Sequence, residues 1–78
     1  MAKYYFDIHD ESGIAIDDVG EELSSSEAAR NEALATIGGL IKDSAARHSD
    51  THLAIEVRDE RRPVLKVTGR IQTTLFEE

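Results

Sequence analysis

The chain has 78 residues, 40% of them hydrophobic and 32% charged, with five glycines, one proline and no cysteine. That is enough apolar material for one small core and excludes the disordered, collagenous and low-complexity classes. The missing cysteines exclude disulfides, thiolate metal sites and cysteine nucleophiles, and a net charge of −7 opposes attraction to phosphate backbones or anionic lipid, so neither nucleic acid nor membrane is an expected partner.

Met1 to Tyr4 leads straight into a strand-like run containing Asp7 and Asp10, without the apolar stretch of a signal peptide, and nowhere do about 18 apolar residues follow one another. A soluble, cytoplasmic domain is the expectation. In the first run Tyr4, Phe6 and Ile8 share one face and Tyr5, Asp7 and His9 the other, the period-2 pattern of a half-buried strand. Asp10-Glu11-Ser12-Gly13 supplies an Asp to start a turn and a Gly for positive φ, which predicts a hairpin whose second arm carries Ile14 and Ile16 on the same apolar face.

Asp18 to Leu23 reads as a loop. Ser24 and Glu27 have capping-box spacing, and the helix that follows, Ser26 to Arg47, sets Ala33, Leu34, Ile37, Leu40, Ile41 and Ala45 on one side. Gly38-Gly39 weakens it by on the order of 1 kcal/mol per Gly, for which close approach of the helix to a sheet is the favoured reason and a hinge the alternative. At about 33 Å it outruns a seven-residue strand of roughly 23 Å, so its last turns should overhang or fray.

After His48 to Thr51, a second run sets Leu53, Ile55 and Val57 on one face and His52, Ala54, Glu56 and Arg58 on the other. Asp59-Glu60-Arg61-Arg62 reverses the chain. Pro63 opens a last strand in which Leu65 and Val67 alternate with Val64, Lys66 and Thr68. The tail from Gly69 to Glu78, with Ile71, Leu75 and Phe76, is read as a one-turn helix over the core edge or as an apolar segment reaching a second subunit.

No residue set has the spacing a specific chemistry requires, so no catalytic residue and no cofactor is expected. Asp7, His9 and Asp10 are the best metal candidates, yet Asp10-x-Ser12-Gly13 lacks the oxygen ligands and distal acid of an EF-hand loop. His48 and His52 straddle a helix end and a strand start, and no His-Glu-x-x-His pattern exists. Ser24 to Ser26 are explained by capping, without a Gly-x-Ser-x-Gly elbow, and the glycines match no phosphate cradle. The charge is split, residues 1–32 carrying nine acids against Lys3 and Arg30 and residues 58–70 carrying five cations against Asp59 and Glu60. One or two exposed aromatics are too few for a single-strand nucleic acid platform, and charge pairing between the two hairpins, or between subunits, is the plainer account.

The succession Lys3-Tyr4-Tyr5-Phe6-Asp7-Ile8-His9-Asp10, Asp17-Asp18-Val19-Gly20-Glu21-Glu22-Leu23, Glu27 to Leu34 and Ile55-Glu56-Val57-Arg58-Asp59-Glu60 resembles a family of short bacterial proteins classified as a domain of unknown function. The resemblance covers about residues 3–68 and implies a fold, with no activity. The chain departs from the pattern at Arg61-Arg62-Pro63, where a Gly is common, and at Gly38-Gly39. The first hairpin and helix are also similar to antitoxin domains of the HicB type, without their longer strand set or DNA-binding segment.

These readings predict one α+β domain, a two-layer ββαββ sandwich with one helix on a four-stranded antiparallel sheet, ordered over about residues 3–68. Its core is expected to hold Tyr4, Phe6, Ile8, Ile16, Leu34, Ile37, Leu40, Ile41, Leu53, Ile55, Val57, Leu65 and Val67. The expected function is a non-enzymatic protein-interaction module, homodimeric, with Tyr5, His9, Val64, Lys66, Leu75 and Phe76 as candidate interface residues. An antitoxin-like or regulatory domain binding a basic protein is the alternative, and metal or small-molecule binding at the acidic hairpin the third reading.

Overall fold

A computed structural model describes residues 1–77. In chain order it contains β1 (Ala2–Asp10), β2 (Gly13–Ala15), β3 (Glu21–Leu23), α1 (Ser26–Ala46), β4 (Thr51–Arg58) and β5 (Pro63–Ile71). The strands form one antiparallel sheet in the order β2-β1-β4-β5, with β3 also paired to β1. The α+β class and the single helix agree with expectation, whereas the strand count is five. Glu21–Leu23, read as loop because it has no alternation, pairs with Ala2–Tyr4.

β2 pairs with Ile8–Asp10 and β3 with Ala2–Tyr4, both antiparallel to β1. They form one edge strand interrupted by residues 16–20, level with the middle of β1. The register also corrects the expected face of Ile14, which lies opposite His9 on the face away from the helix, while Ala15 lies opposite Ile8. Ile16, past the end of β2, is 63% exposed rather than in the core.

The helix starts at Ser26 as expected, but its N-cap is Ser25, one residue later than the capping-box reading, with the Ser25 Oγ accepting from the Ala28 N–H at 3.1 Å. Its buried stripe is Ala29, Ala33, Ile37 and Ser44. Small residues at the centre of contact let the helix sit close to the sheet, which rotates Leu34 to the side, where it is 40% exposed instead of buried. Tyr4, Leu53, Ile55 and Val57 meet this stripe from the sheet, with Phe6, Ile8, Leu40, Ile41, Leu65 and Val67 packed around them.

Close approach does occur, but at Gly69 of β5, where an added Cβ would lie 3.2 Å from Ile41 Cδ1 and 3.3 Å from Ile37 Cδ1. Gly38 and Gly39 face open space, so the expected reason for that pair is incorrect. The overhang is corrected as well. β1 and β5 run nine residues each, roughly 30 Å, against about 32 Å for the helix, and Ser44 in the last turn is buried. A Schellman arrangement closes this end, the Ser49 N–H donating to the Ser44 carbonyl and the His48 N–H to the Ala45 carbonyl, with His48 at φ 57°.

At the other end of the β4-β5 hairpin the Asp59 carboxylate accepts from the N–H groups of Arg61 and Arg62 at 2.8 and 2.9 Å. That side chain closes the turn where the Gly is lacking. A register shift at Val57/Arg58 moves Val64 off the expected open face, and it packs against the core. No helix of the described residues is long and apolar enough to cross a membrane.

Candidate functional site

Three places hold the predicted residues, and they differ in what each is free to do. The first is the gap in the edge strand. The Phe6 N–H, which has no backbone partner there, donates to Asp17 Oδ2 at 3.0 Å, while Asp17 Oδ1 accepts from the N–H groups of Val19 and Gly20 at 2.9 and 3.1 Å. The turn needs a glycine at position 20, where φ is 78° and a Cβ would lie 2.9 Å from the Tyr5 ring. Asp17 in turn donates its N–H to Asp7 Oδ1 at 2.9 Å.

Asp7 is 4% exposed, and a buried carboxylate must be paired. Arg58, from the adjacent strand, donates through Nε to Asp7 Oδ2 at 2.8 Å and through Nη2 to the Asp17 carbonyl at 2.8 Å. Its guanidinium carbon stands 4.5 Å from the centre of the Tyr5 ring. The Arg58 hydrogen bond holds the Asp7 carboxyl below its ordinary range against the opposing effect of burial. Burial also pushes Asp17 up, and the Phe6, Gly20 and Val19 N–H groups outweigh it and hold the group low.

The carboxylate oxygens of Asp7 and Asp17, with Nε and Nη2 of Arg58, are thus spent on closing the sheet edge. Asp7 and Tyr5, predicted as metal and interface candidates, are structural members of it, and the expected pairing of the two hairpins is made by one acid and one cation, Asp7 and Arg58. Asp10 is held separately by Ser12, whose N–H and Oγ donate to its Oδ1 at 2.8 and 2.6 Å. Among the described residues no three His, Asp or Glu side chains gather as a metal site requires.

The second place is the sheet face away from the helix. His9, His52, Lys66 and Thr68 surround the buried Ala54 in an open groove of about 300 Å³, with Asp10 and Glu11 at one end. His9 and Lys66 therefore share one surface, as predicted. Val64 does not join them, for the register reason given above.

The third is the end of the sandwich at the helix C-terminus. There a crevice of about 170 Å³ opens between α1 and the sheet, floored by Ile8, Leu40 and Leu53 and rimmed by Asp10, Asp43, Ser44, Arg47 and Thr51. Beside it the Asp50 carboxylate holds the tail, accepting from the Thr73 N–H at 2.9 Å and the Thr73 hydroxyl at 2.6 Å. β5 extends to Ile71, and residues 72–77 follow without regular structure, so the expected one-turn helix is absent. Leu75 and Phe76 are 90% and 86% exposed.

The sequence reading missed Asp17, Arg58 and the Asp50–Thr73 tether. The signal for Asp17 was present, an Asp that breaks an alternating run three residues before a Gly, as turns that cap their own backbone do. One family model matches the chain, that of the domain of unknown function DUF6894, over residues 3–70. No curated protein and no solved structure matches.

Proposed function

This chain belongs to the DUF6894 family, whose description carries no activity, and from its own side chains we propose a non-enzymatic protein-interaction module that self-associates. The observation that carries this reading is the tail. Two large apolar side chains, Leu75 and Phe76, stand almost wholly in solvent three residues or fewer beyond a tether that fixes Thr73 by both its N–H and its hydroxyl. Burying each is worth about 1.5–3 kcal/mol, and a tethered segment loses less conformational freedom on docking than a free one.

The engagement of Asp7, Asp17 and Arg58 with one another and with backbone supports the same reading. Light scattering across a concentration series checks it. A mass of twice the 8.6 kDa chain is expected, and 8.6 kDa at millimolar concentration would refute self-association. A second reading, an antitoxin-like or regulatory domain that engages a basic protein, draws on Asp10, Glu11, Asp18, Glu21, Glu22, Glu27 and Glu32, all exposed. Its mark is association with a cationic protein that weakens steeply with salt.

A further inference from the structure

We propose that the partner is a second copy of this chain and that the two copies exchange C-terminal arms, Phe76 of each entering the other's crevice between α1 and the sheet. The inference rests on the self-association reading and names its surface.

Four observations converge on it. The crevice is about 170 Å³, with Ile8, Leu40 and Leu53 as its floor under a polar rim, and roughly 150 Å³ is room enough for a benzene-sized ring. The arm and the crevice occupy the same end of the molecule. Thr51 and Arg47, at the crevice rim, also border the hollow that contains Asp50, to which the arm is tied. A two-fold axis through that end places both arms on both crevices at once, the self-complementary arrangement that a closed dimer needs.

The arm leaves its own chain. Beyond Thr73 neither Leu75 nor Phe76 is covered, and the molecule measures 55 × 21 × 17 Å, a length that the helix of about 32 Å does not supply alone. Three residues past the tether give Phe76 a reach of about 10 Å. In an extended arm neighbouring side chains point to opposite sides, so one of Leu75 and Phe76 enters, and the phenyl ring offers the larger apolar surface.

Charge at the rim sets the orientation. The rim carries two acids, Asp10, whose Oδ1 is taken by Ser12, and Asp43 on the helix, and one cation, Arg47, which makes no ion pair among the described residues and is the group there able to receive an acid. Glu77, directly after Phe76, meets Arg47 when the ring is seated.

Sedimentation equilibrium on the full chain and on Phe76→Ala, Leu75→Ala, Arg47→Glu, Glu77→Arg and the Arg47→Glu/Glu77→Arg double variant tests the proposal, with circular dichroism as the control for folding. Phe76→Ala is expected to raise the dimer dissociation constant by a hundred-fold or more, counting once in each copy, and Leu75→Ala by less. Arg47→Glu should weaken the dimer several-fold and the double variant should regain it. A mixed sample of isotope-labelled and unlabelled chains should show contacts from the Phe76 ring to Leu40 and Ile8 methyls between chains. A dimer that Phe76→Ala and Arg47→Glu leave unchanged overturns arm exchange while self-association stands. Phe76 contacts within one chain overturn it in favour of a folded-back arm, and a wild-type chain that stays monomeric overturns both readings.

Discussion

Replacing Asp17 by Ala removes an acceptor that serves backbone on two sides. Oδ2 takes the Phe6 N–H in the middle of β1, and Oδ1 takes the Val19 and Gly20 N–H groups of the loop. A hydrogen bond to a charged acceptor is worth about 1.5–3 kcal/mol where water is partly excluded, as it is at Phe6 and Gly20, while Val19 is exposed and water replaces most of its bond. The expected cost is about 2–4 kcal/mol. A 78-residue domain has only about 4–12 kcal/mol of stability in total, so the loss is a large share of it. Asp17→Asn has one carbonyl oxygen for two jobs and should recover about half. Urea unfolding followed by circular dichroism measures both, and amide exchange by NMR isolates the Phe6 N–H, which should exchange faster in both variants. A cost under about 0.5 kcal/mol for Asp17→Ala, with Phe6 exchange unchanged, would show that water closes the gap equally well.

Three further outcomes are expected. Asp7 and Asp17 ionise below the ordinary 3.8 when folded, so the unfolded chain binds more protons in that range; their stabilisation is complete above that value and lost as pH falls through the folded values. Urea midpoints should therefore drop as pH falls below about 4, and Asp7→Asn should flatten that slope while lowering the neutral-pH midpoint. Gly38→Ala and Gly39→Ala meet nothing within 4 Å, so each should stabilise by about 0.5–1 kcal/mol, read as a higher melting temperature. His48→Gly relieves a left-handed conformation at φ 57° and should add about 0.5–1 kcal/mol, whereas His48→Val should lower the melting temperature.

The two long runs were legible because Tyr4, Phe6 and Ile8, and Leu53, Ile55 and Val57, turn to the helix at every second position, although the opposite face is not uniformly open, Asp7 and Ala54 being buried there. The helix was legible from its apolar spacing and its Ser-rich start. β3 was not, since three residues with two acids carry no period, and only the register of β1 makes Glu21–Leu23 a strand. Val64 was misplaced because a one-residue irregularity between strands inverts the alternation without leaving a mark in local sequence. The glycine reasoning found the right cause at the wrong position, as helix approach is set by Ala29, Ala33 and Gly69, which lie far apart in the chain.

At the candidate site the same division holds. Leu75 and Phe76 stood out as apolar residues with no element to bury them. The roles of Asp7 and Arg58 depend on partners 51 and 41 positions apart, and no window of sequence contains both ends of such a bond.

A carboxylate in the place of a strand also decides how the sheet can grow. Where Asp17 occupies the Phe6 N–H, an incoming peptide finds no free ladder to extend, and the three-residue β2 and β3 on either side are too short to template one. The opposite margin, β5, begins with Pro63, which has no N–H, and presents Lys66 and Arg70 to the outside. Stacking of sheets edge to edge into fibrils is thus discouraged on both flanks, and a domain with a thin core keeps its strands to itself.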